Sequence, residues 1–252
     1  MKRAIISDIH ANLEAFESVL SDIRDQGADS IYCLGDVVGY GPDPRPCLFL
    51  AKDLDLNLMG NHEEAVLFEP IGFNPRARAA IEWTKEQINL HSAAVEENRE
   101  LWNFVGSMLD RQTEDGIAYV HGSPREPTRE YVFPNDVHNG EKLDEIFAAL
   151  EQSVCFAGHT HTPGVFTEDH RFLAPTDIGN SFKLSDATGK IIVNVGSVGQ
   201  PRDGDPRACY VIFDGESIEF RRVKYDIEKT VQRFREVPVL PEYLALRLLE
   251  GR

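Results

Sequence analysis

The sequence predicts an α/β fold, and three observations carry that prediction. Short apolar runs with β-branched content recur at 3–10, 30–36, 56–62, 116–122, 153–161 and 190–199, and read as buried strands. Helical periodicity lies between several of them. Each run ends abruptly in glycine or in a polar, metal-capable residue. In sheets of this class, ligand sites gather at the carboxyl ends of strands. The third observation therefore also indicates where function resides.

Taken in order, RAIISDIH (3–10) is the first strand and its polar end. Leu13, Phe16, Val19, Leu20 and Ile23 then recur at three- and four-residue steps, which predicts a helix from Asn12 to Gln26 closed by Gly27. Asn12 has two readings, the N-cap of this helix or a support for a neighbouring ligand. SIYCLGD (30–36) and LNLMGNH (56–62) are the next strands. RARAAIEWTKEQI (76–88) and SAAVEENRELWNFVGSML (92–109) are helical with no strand between them. They are expected to form a helical insertion, about 70–110, over one edge of the core, with their charges on solvated faces. GIAYVHG (116–122) and SVCFAGHTH (153–161) return to strand.

From 163 onward the pattern is mostly β: GVFTE, RFLAP, SFKLS, IIVNV, ACYVIFD and SIEFRRV, with DGE at 214–216 as a hairpin turn. Residues 226–252 read as two short helices split by PVLP. No linker, repeat or low-complexity stretch divides the chain, so one domain over 1–252 is expected.

The formal net charge is −16, from 26 basic and 42 acidic residues, which excludes bulk nucleic acid or an anionic membrane as a natural partner. A small anionic substrate stays open, because bound cations reverse the local field. Of the four cysteines, Cys33 and Cys155 lie in apolar runs and none forms a CxxC pair, so they read as small hydrophobes. The opening MKRAIISDIH is interrupted by Asp8 too early for a signal peptide. No apolar stretch approaches the ~18 residues of a membrane span. A cytoplasmic location is the expectation.

The polar residues at the strand ends are Asp8, His10, Asp36, Asn61, His62, His121, His159 and His161. Carboxylate, imidazole and amide without sulfur suit borderline or hard divalent cations. A lone histidine on an apolar face is usually structural. Here five of the eight histidines follow strands expected to share one sheet, and two carboxylates join them. Buried carboxylates are costly alone, and a cation removes that cost. His91, His138 and His170 match no such position and read as surface or turn residues.

These residues form five blocks in order: Asp8-Ile9-His10, Gly35-Asp36, Gly60-Asn61-His62-Glu63, His121-Gly122 and Gly158-His159-Thr160-His161. Each alone is weak. Together, each after an apolar run, they resemble the calcineurin-like metallophosphoesterase family, specifically its small bacterial and archaeal phosphodiesterase-type branch. The resemblance implies a two-sheet β-sandwich core flanked by helices, with the helical insertion and the short C-terminal helices added to it. It also implies a dinuclear metal site. Asp8, His10, Asp36 and His161 would hold one ion, and Asp36, Asn61, His121 and His159 the other. The ions, manganese, iron, zinc, cobalt or nickel, are not distinguished by such ligands. The implied reaction is in-line attack on phosphorus by a metal-bridging hydroxide, with His62 as general acid. For Glu63, the start of a helix is favoured over a role in orienting His62.

Arg202, in GSVGQPRDGDPR, is a candidate phosphate clamp, ahead of Arg207 and Arg125. Tyr40, in GDVVGYGPDP, is a candidate pocket residue, although its neighbours also suit a packed turn. Phe73, Trp83, Tyr131 and Phe133 either stack on a base or belong to the core. The expected partner is a small phosphorylated substrate, with a nucleotide among the candidates, and a homodimer is open. Protein phosphatases of the family carry Asp-Arg-Gly where this chain has Gly39-Tyr40-Gly41, and an arginine where it has Met59; both departures count against that activity. Dinucleoside polyphosphate hydrolysis is a further alternative. A non-catalytic interaction platform is disfavoured, because every expected ligand position is filled.

Overall fold

Apolar runs of about four residues, too short for helices, build the centre of the molecule. In the computed structural model, which describes residues 1–252, they form two mixed six-stranded sheets packed face to face. In chain order the elements to the end of the insertion are β1 (Arg3–Ile6), α1 (Leu13–Gln26), β2 (Ser30–Cys33), α2 (Pro44–Ala51), β3 (Leu56–Asn57), α3 (Asn61–Leu67), α4 (Pro75–Ile88) and α5 (Val95–Ser107). The second part adds β4 (Arg111–Glu114), β5 (Ile117–Val120), α6 (Gly140–Ala149), β6 (Val154–Ala157), β7 (Gly164–Thr167), β8 (Arg171–Leu173), β9 (Ser181–Lys183) and β10 (Ile191–Asn194). It closes with β11 (Ala208–Phe213), β12 (Ser217–Val223), α7 (Ile227–Arg235) and α8 (Glu242–Glu250).

One sheet has the order β3-β2-β1-β11-β12-β9 and the other β4-β5-β6-β10-β7-β8. The α/β class predicted from the sequence holds. The strands that carry functional residues do not share one sheet, however. β1, β2 and β3 lie in the first, and β5 and β6 in the second. Their common apolar pattern reflects burial on both faces, which two stacked sheets supply as well as one.

The alternation within each strand shows this. In β1, Ile5 faces the space between the sheets, whereas Ala4 and Ile6 pack under the helices. In β6, Val154 and Phe156 face the other sheet, while Cys155 and Ala157 face α6 with Leu143, Ile146 and Phe147. All four cysteines are buried thiols. The first helix begins at its predicted cap: Asn12 Oδ1 accepts from Ala15 N at 3.2 Å, and Gly27 ends the helix at φ 63°.

The two insertion helices are α4 and α5. Leu101 and Val105 of α5 join the core beneath the first sheet, and Leu109 bridges to Leu58 beside the edge strand β3. The C-terminal helices bring Val231, Phe234, Leu244 and Leu248 against Ala80 of α4. No helix is long and apolar enough to cross a membrane.

The two sheets meet on an aromatic stack. Phe156 lies with its ring centroid 5.7 Å from Tyr119 and 5.3 Å from Phe213 of the opposite sheet, and it is fully buried. Phe156→Ala is therefore expected to cost ~3–5 kcal/mol by urea unfolding. A loss below ~1 kcal/mol would show that the sheets do not depend on this contact.

Candidate metal centre

Five loops converge at one end of the two sheets. Three follow β1, β2 and β3 and carry Asp8 and His10, Asp36, and Asn61 with His62; two follow β5 and β6 and carry His121, and His159 with His161. Backbone hydrogen bonds lock the loops together: Asp8 N to Gly35 O at 3.0 Å, His10 N to Asp36 O at 2.9 Å and Gly158 N to His121 O at 2.9 Å. His159 N donates to Asp8 Oδ2 at 2.9 Å, which ties one sheet's loops to the other's.

The loops turn sharply. Asp8, His10, Asp36, His159 and His161 all have φ between 49° and 68°, in the left-handed region that Asp and His tolerate better than most side chains. Gly60 packs where a Cβ would overlap Asp36 Oδ1, and Gly39 where one would overlap His62 Nδ1.

The side chains form three overlapping clusters whose ligand atoms lie within 4.8 Å of one another: Asp8, His10 and His161; His10, Asp36 and His62; and Asp36, His121 and His159. Asn61 joins through Oδ1, 3.3 Å from His121 Nε2. Asp36 Oδ2 stands 3.7 Å from His10 Nε2 and 3.4 Å from His121 Nε2, at the junction of the outer clusters. Asp8, His10, Asp36, His62, His121, His159 and His161 are each at most 3% exposed, so water cannot stabilise their charges.

The outer nitrogens of the histidines are occupied. His10 Nδ1 donates to Val38 O at 3.2 Å, His121 Nδ1 to Leu34 O at 3.1 Å, His161 Nδ1 to Gln200 O at 2.6 Å and His159 Nε2 to Arg129 O at 3.1 Å. Each bond fixes the ring and aims its other nitrogen inward. Burial, reinforced by the neighbouring histidines for His10 and by Arg202 for His161, holds both below the ordinary histidine pKa. Their Nε2 atoms nevertheless face each other at 3.0 Å, and Asp8 Oδ1 lies 3.3 Å from His161 Nε2. Asp8 Oδ1 has no hydrogen-bond donor. With both Nδ1 atoms turned outward to carbonyls, three electron-rich atoms converge, an arrangement that fits a cation.

The second cluster is similar. Burial lowers His159 to about 3, whereas His121 rises to about 9 because Asp36 and Asp8 outweigh its burial. His121 Nε2 lies 3.0 Å from His159 Nδ1, so its retained proton occupies the place a cation would take. Burial pushes Asp8 and Asp36 up, but the facing histidines prevail and keep both below the usual carboxylate range.

His62 sits apart from these bonds. Its Nε2 is 3.9 Å from Asp36 Oδ2, its Nδ1 has no partner, and its ring packs among Tyr40, Phe73 and His10. Burial lowers it to about 4 despite Asp36. Tyr40 packs 4.7 Å from the His10 ring and 4.5 Å from that of His62, and Arg202 lies 5.9 Å from the Tyr40 ring. Arg202 N donates to His161 O at 3.2 Å, and its guanidinium has no carboxylate partner. Arg207 and Arg125 are held instead by Asp205, and by Glu130 and Glu145.

Of the aromatics weighed above, Tyr131 stacks on His159 at 3.7 Å and Phe133 on Tyr131 at 5.1 Å, both exposed, while Trp83 packs against the C-terminal core. Tyr131, Phe73, Tyr40 and Asn61 border a cleft of about 290 Å³. His91 and His138 are exposed, and His170 pairs with Asp144 at a turn.

Glu63 does more than start a helix. It is fully buried, and its carboxylate accepts from Asp36 N at 2.8 Å, Gly60 N at 2.9 Å and Val38 N at 3.0 Å. It joins the Asp36 loop to the N-terminus of α3, where Asn61 and His62 lie. Its place three residues after Gly60, the capping-box offset, was the available signal. Burial and Asp36 raise its pKa to about 7 against those three donors. Asn12 also exceeds its capping role, donating to Gly199 O at 2.9 Å. The Arg129 and Gln200 carbonyls had no signal, since any residue supplies one.

Fold and site together define a protein with a cation-binding centre at the end of an α/β sandwich. Residues 1–217 match the calcineurin-like phosphoesterase superfamily domain, and the chain belongs to that superfamily. An uncharacterized protein of Methanocaldococcus jannaschii is 38% identical over 99% of this chain and 98% of its own length. The crystal structure of a metallophosphoesterase from Sphaerobacter thermophilus, also 38% identical, covers 100% of this chain and 99% of that one with a TM-score of 0.80. A hypothetical protein from Pyrococcus horikoshii shares the fold at 18% identity, with a TM-score of 0.75 over 100% of this chain and 98% of that one.

Glu63→Gln replaces one acceptor oxygen with an amide facing N–H donors. It is expected to weaken divalent-metal affinity about 10–100-fold in competition with a chromophoric chelator. Unchanged affinity would show that the Glu63 clamp does not position the ligands.

Proposed function

We propose that the protein is a phosphoesterase acting on small phosphomonoesters or phosphodiesters at a centre of two divalent cations. The observation that carries this reading is the position of Asp36 Oδ2 between the His10 and His121 clusters. Asp8, His10, Asp36 and His161 would hold one ion; Asp36, Asn61, His121 and His159 would hold the other. When bound, such ions supply Lewis acidity and a water acidic enough to ionise near neutral pH. Two divalent charges exceed those of Asp8 and Asp36, which leaves a net positive site suited to phosphate.

The remaining residues serve the substrate. Arg202 lacks a carboxylate partner and offers its planar fork to a phosphoryl oxygen. Tyr40 shapes the wall beside it. His62 serves the leaving group. It is neutral in the free site, so the charge of a bound phosphate must restore its proton before it can act as an acid. The Tyr131–Phe133 stack offers an aromatic surface at the mouth of the cleft.

The test is hydrolysis of p-nitrophenyl phosphate and bis-p-nitrophenyl phosphate by manganese-loaded protein. Metal-dependent turnover of at least one ester is expected, and the preferred ester separates monoesterase from diesterase. No turnover of either at full metal loading would contradict the reading. His62→Ala is expected to cost about 10²–10⁴-fold with a poor leaving group and much less with p-nitrophenolate, which needs no proton. Equal loss for all leaving groups would assign His62 to holding phosphate instead.

A further inference from the structure

In a chain of net charge −16, three arginines lie against Tyr40 or Tyr243 with no Asp or Glu partner: Arg202, Arg76 and Arg247, the last donating from Nε to Arg252 O at 2.5 Å. Arg76 begins α4 and Arg247 lies in α8. Their guanidinium carbons stand 5.0 Å and 5.6 Å from the Tyr243 ring. Arg76, Arg247 and Tyr243, together with Tyr40, Asn74 and Ala77, line a recess of about 420 Å³. No acidic residue lines it. Tyr40, Asn74 and Ala77 also border the cleft that reaches Asn61 and His159, so the two spaces share a wall.

Arg202 stands on the other side of Tyr40, and its Nε is buried without a partner. Burial and the nearby Arg202 charge push Arg247 below the ordinary arginine value. Arg202 and Arg247 are half-buried, and holding like charges there is costly unless an anion joins them. The arrangement is held in place: Gly204 N donates to Gly251 O at 3.0 Å, fixing the end of α8 to the loop that carries Arg202.

We propose that this recess is a subsite for a second phosphoryl group, so that the protein's substrates carry one phosphoryl group at the metal centre and another between Arg76 and Arg247. The proposal rests on the phosphoesterase reading above. Arginine forks match phosphoryl oxygens in pairs, and the shared wall lets one molecule span both spaces. The C-terminal helices would thereby select the substrate.

The probes are AMP and ADP, which differ by one phosphoryl group. Their affinities are measured calorimetrically on manganese-loaded protein with metal in excess. ADP is expected to bind at least about tenfold more tightly than AMP, and Arg76→Gln/Arg247→Gln to abolish most of that preference, with AMP as the internal reference. Equal affinities in the unaltered protein, or an undiminished preference in the double variant, would overturn the proposal. Should the double variant misfold, the exposed Arg76→Gln alone decides: a several-fold loss of preference supports the subsite and an unchanged preference refutes it. Failure of the phosphoesterase reading would appear separately, as an ADP preference without metal-dependent turnover of the chromogenic esters.

Discussion

The constraint on which the structure depends is electrostatic. Asp8, His10 and His161 bring three electron-rich atoms together in a buried site, with the His10 and His161 Nε2 atoms 3.0 Å apart. Carbonyls of Val38 and Gln200 hold the rings in that orientation. Such a cluster is unfavourable without a positive charge at its centre. The left-handed turns, the close glycines and the buried Glu63 clamp keep those atoms together. The end of the sandwich is thus shaped by a demand for cations rather than by packing alone.

Two-sheet architecture supplies what one sheet does not. Loops from β1, β2 and β3 meet loops from β5 and β6 across the sandwich, so ligands approach from opposite sides. The His159 N to Asp8 Oδ2 bond at 2.9 Å and the Phe156 stack are two points at which the halves are joined. One is polar and lies at the site, and the other is apolar and lies in the core. Helices complete the layers outside, and the last of them, α8, reaches back to the rim of the site through Gly251.

Much of this was legible in the sequence because strand and ligand are adjacent in the chain. A run such as VCFA followed by GHTH displays both the buried strand and the polar turn. The α1 cap at Asn12 was readable for the same local reason. What is settled by distant contacts was not readable. β1 pairs with β11, and β5 falls in the opposite sheet, yet both strands look alike in sequence. β4 escaped notice because Arg111–Glu114 is an edge strand with no apolar face, visible only through its partner β5 and the Asp115-Gly116 turn. The clamp by Glu63 exists only once the Asp36 loop folds back on α3, and Arg247 reaches the site from the far end of the chain.

The measurement that tests the central claim most directly is metal content. The protein is dialysed to equilibrium against manganese, and bound metal is counted by plasma mass spectrometry beside Asp36→Asn. Two ions per chain are expected for the unaltered protein, and markedly fewer for the variant, which loses the charge shared by both clusters. A single ion per chain, or full loading of Asp36→Asn, would contradict a centre organised around Asp36.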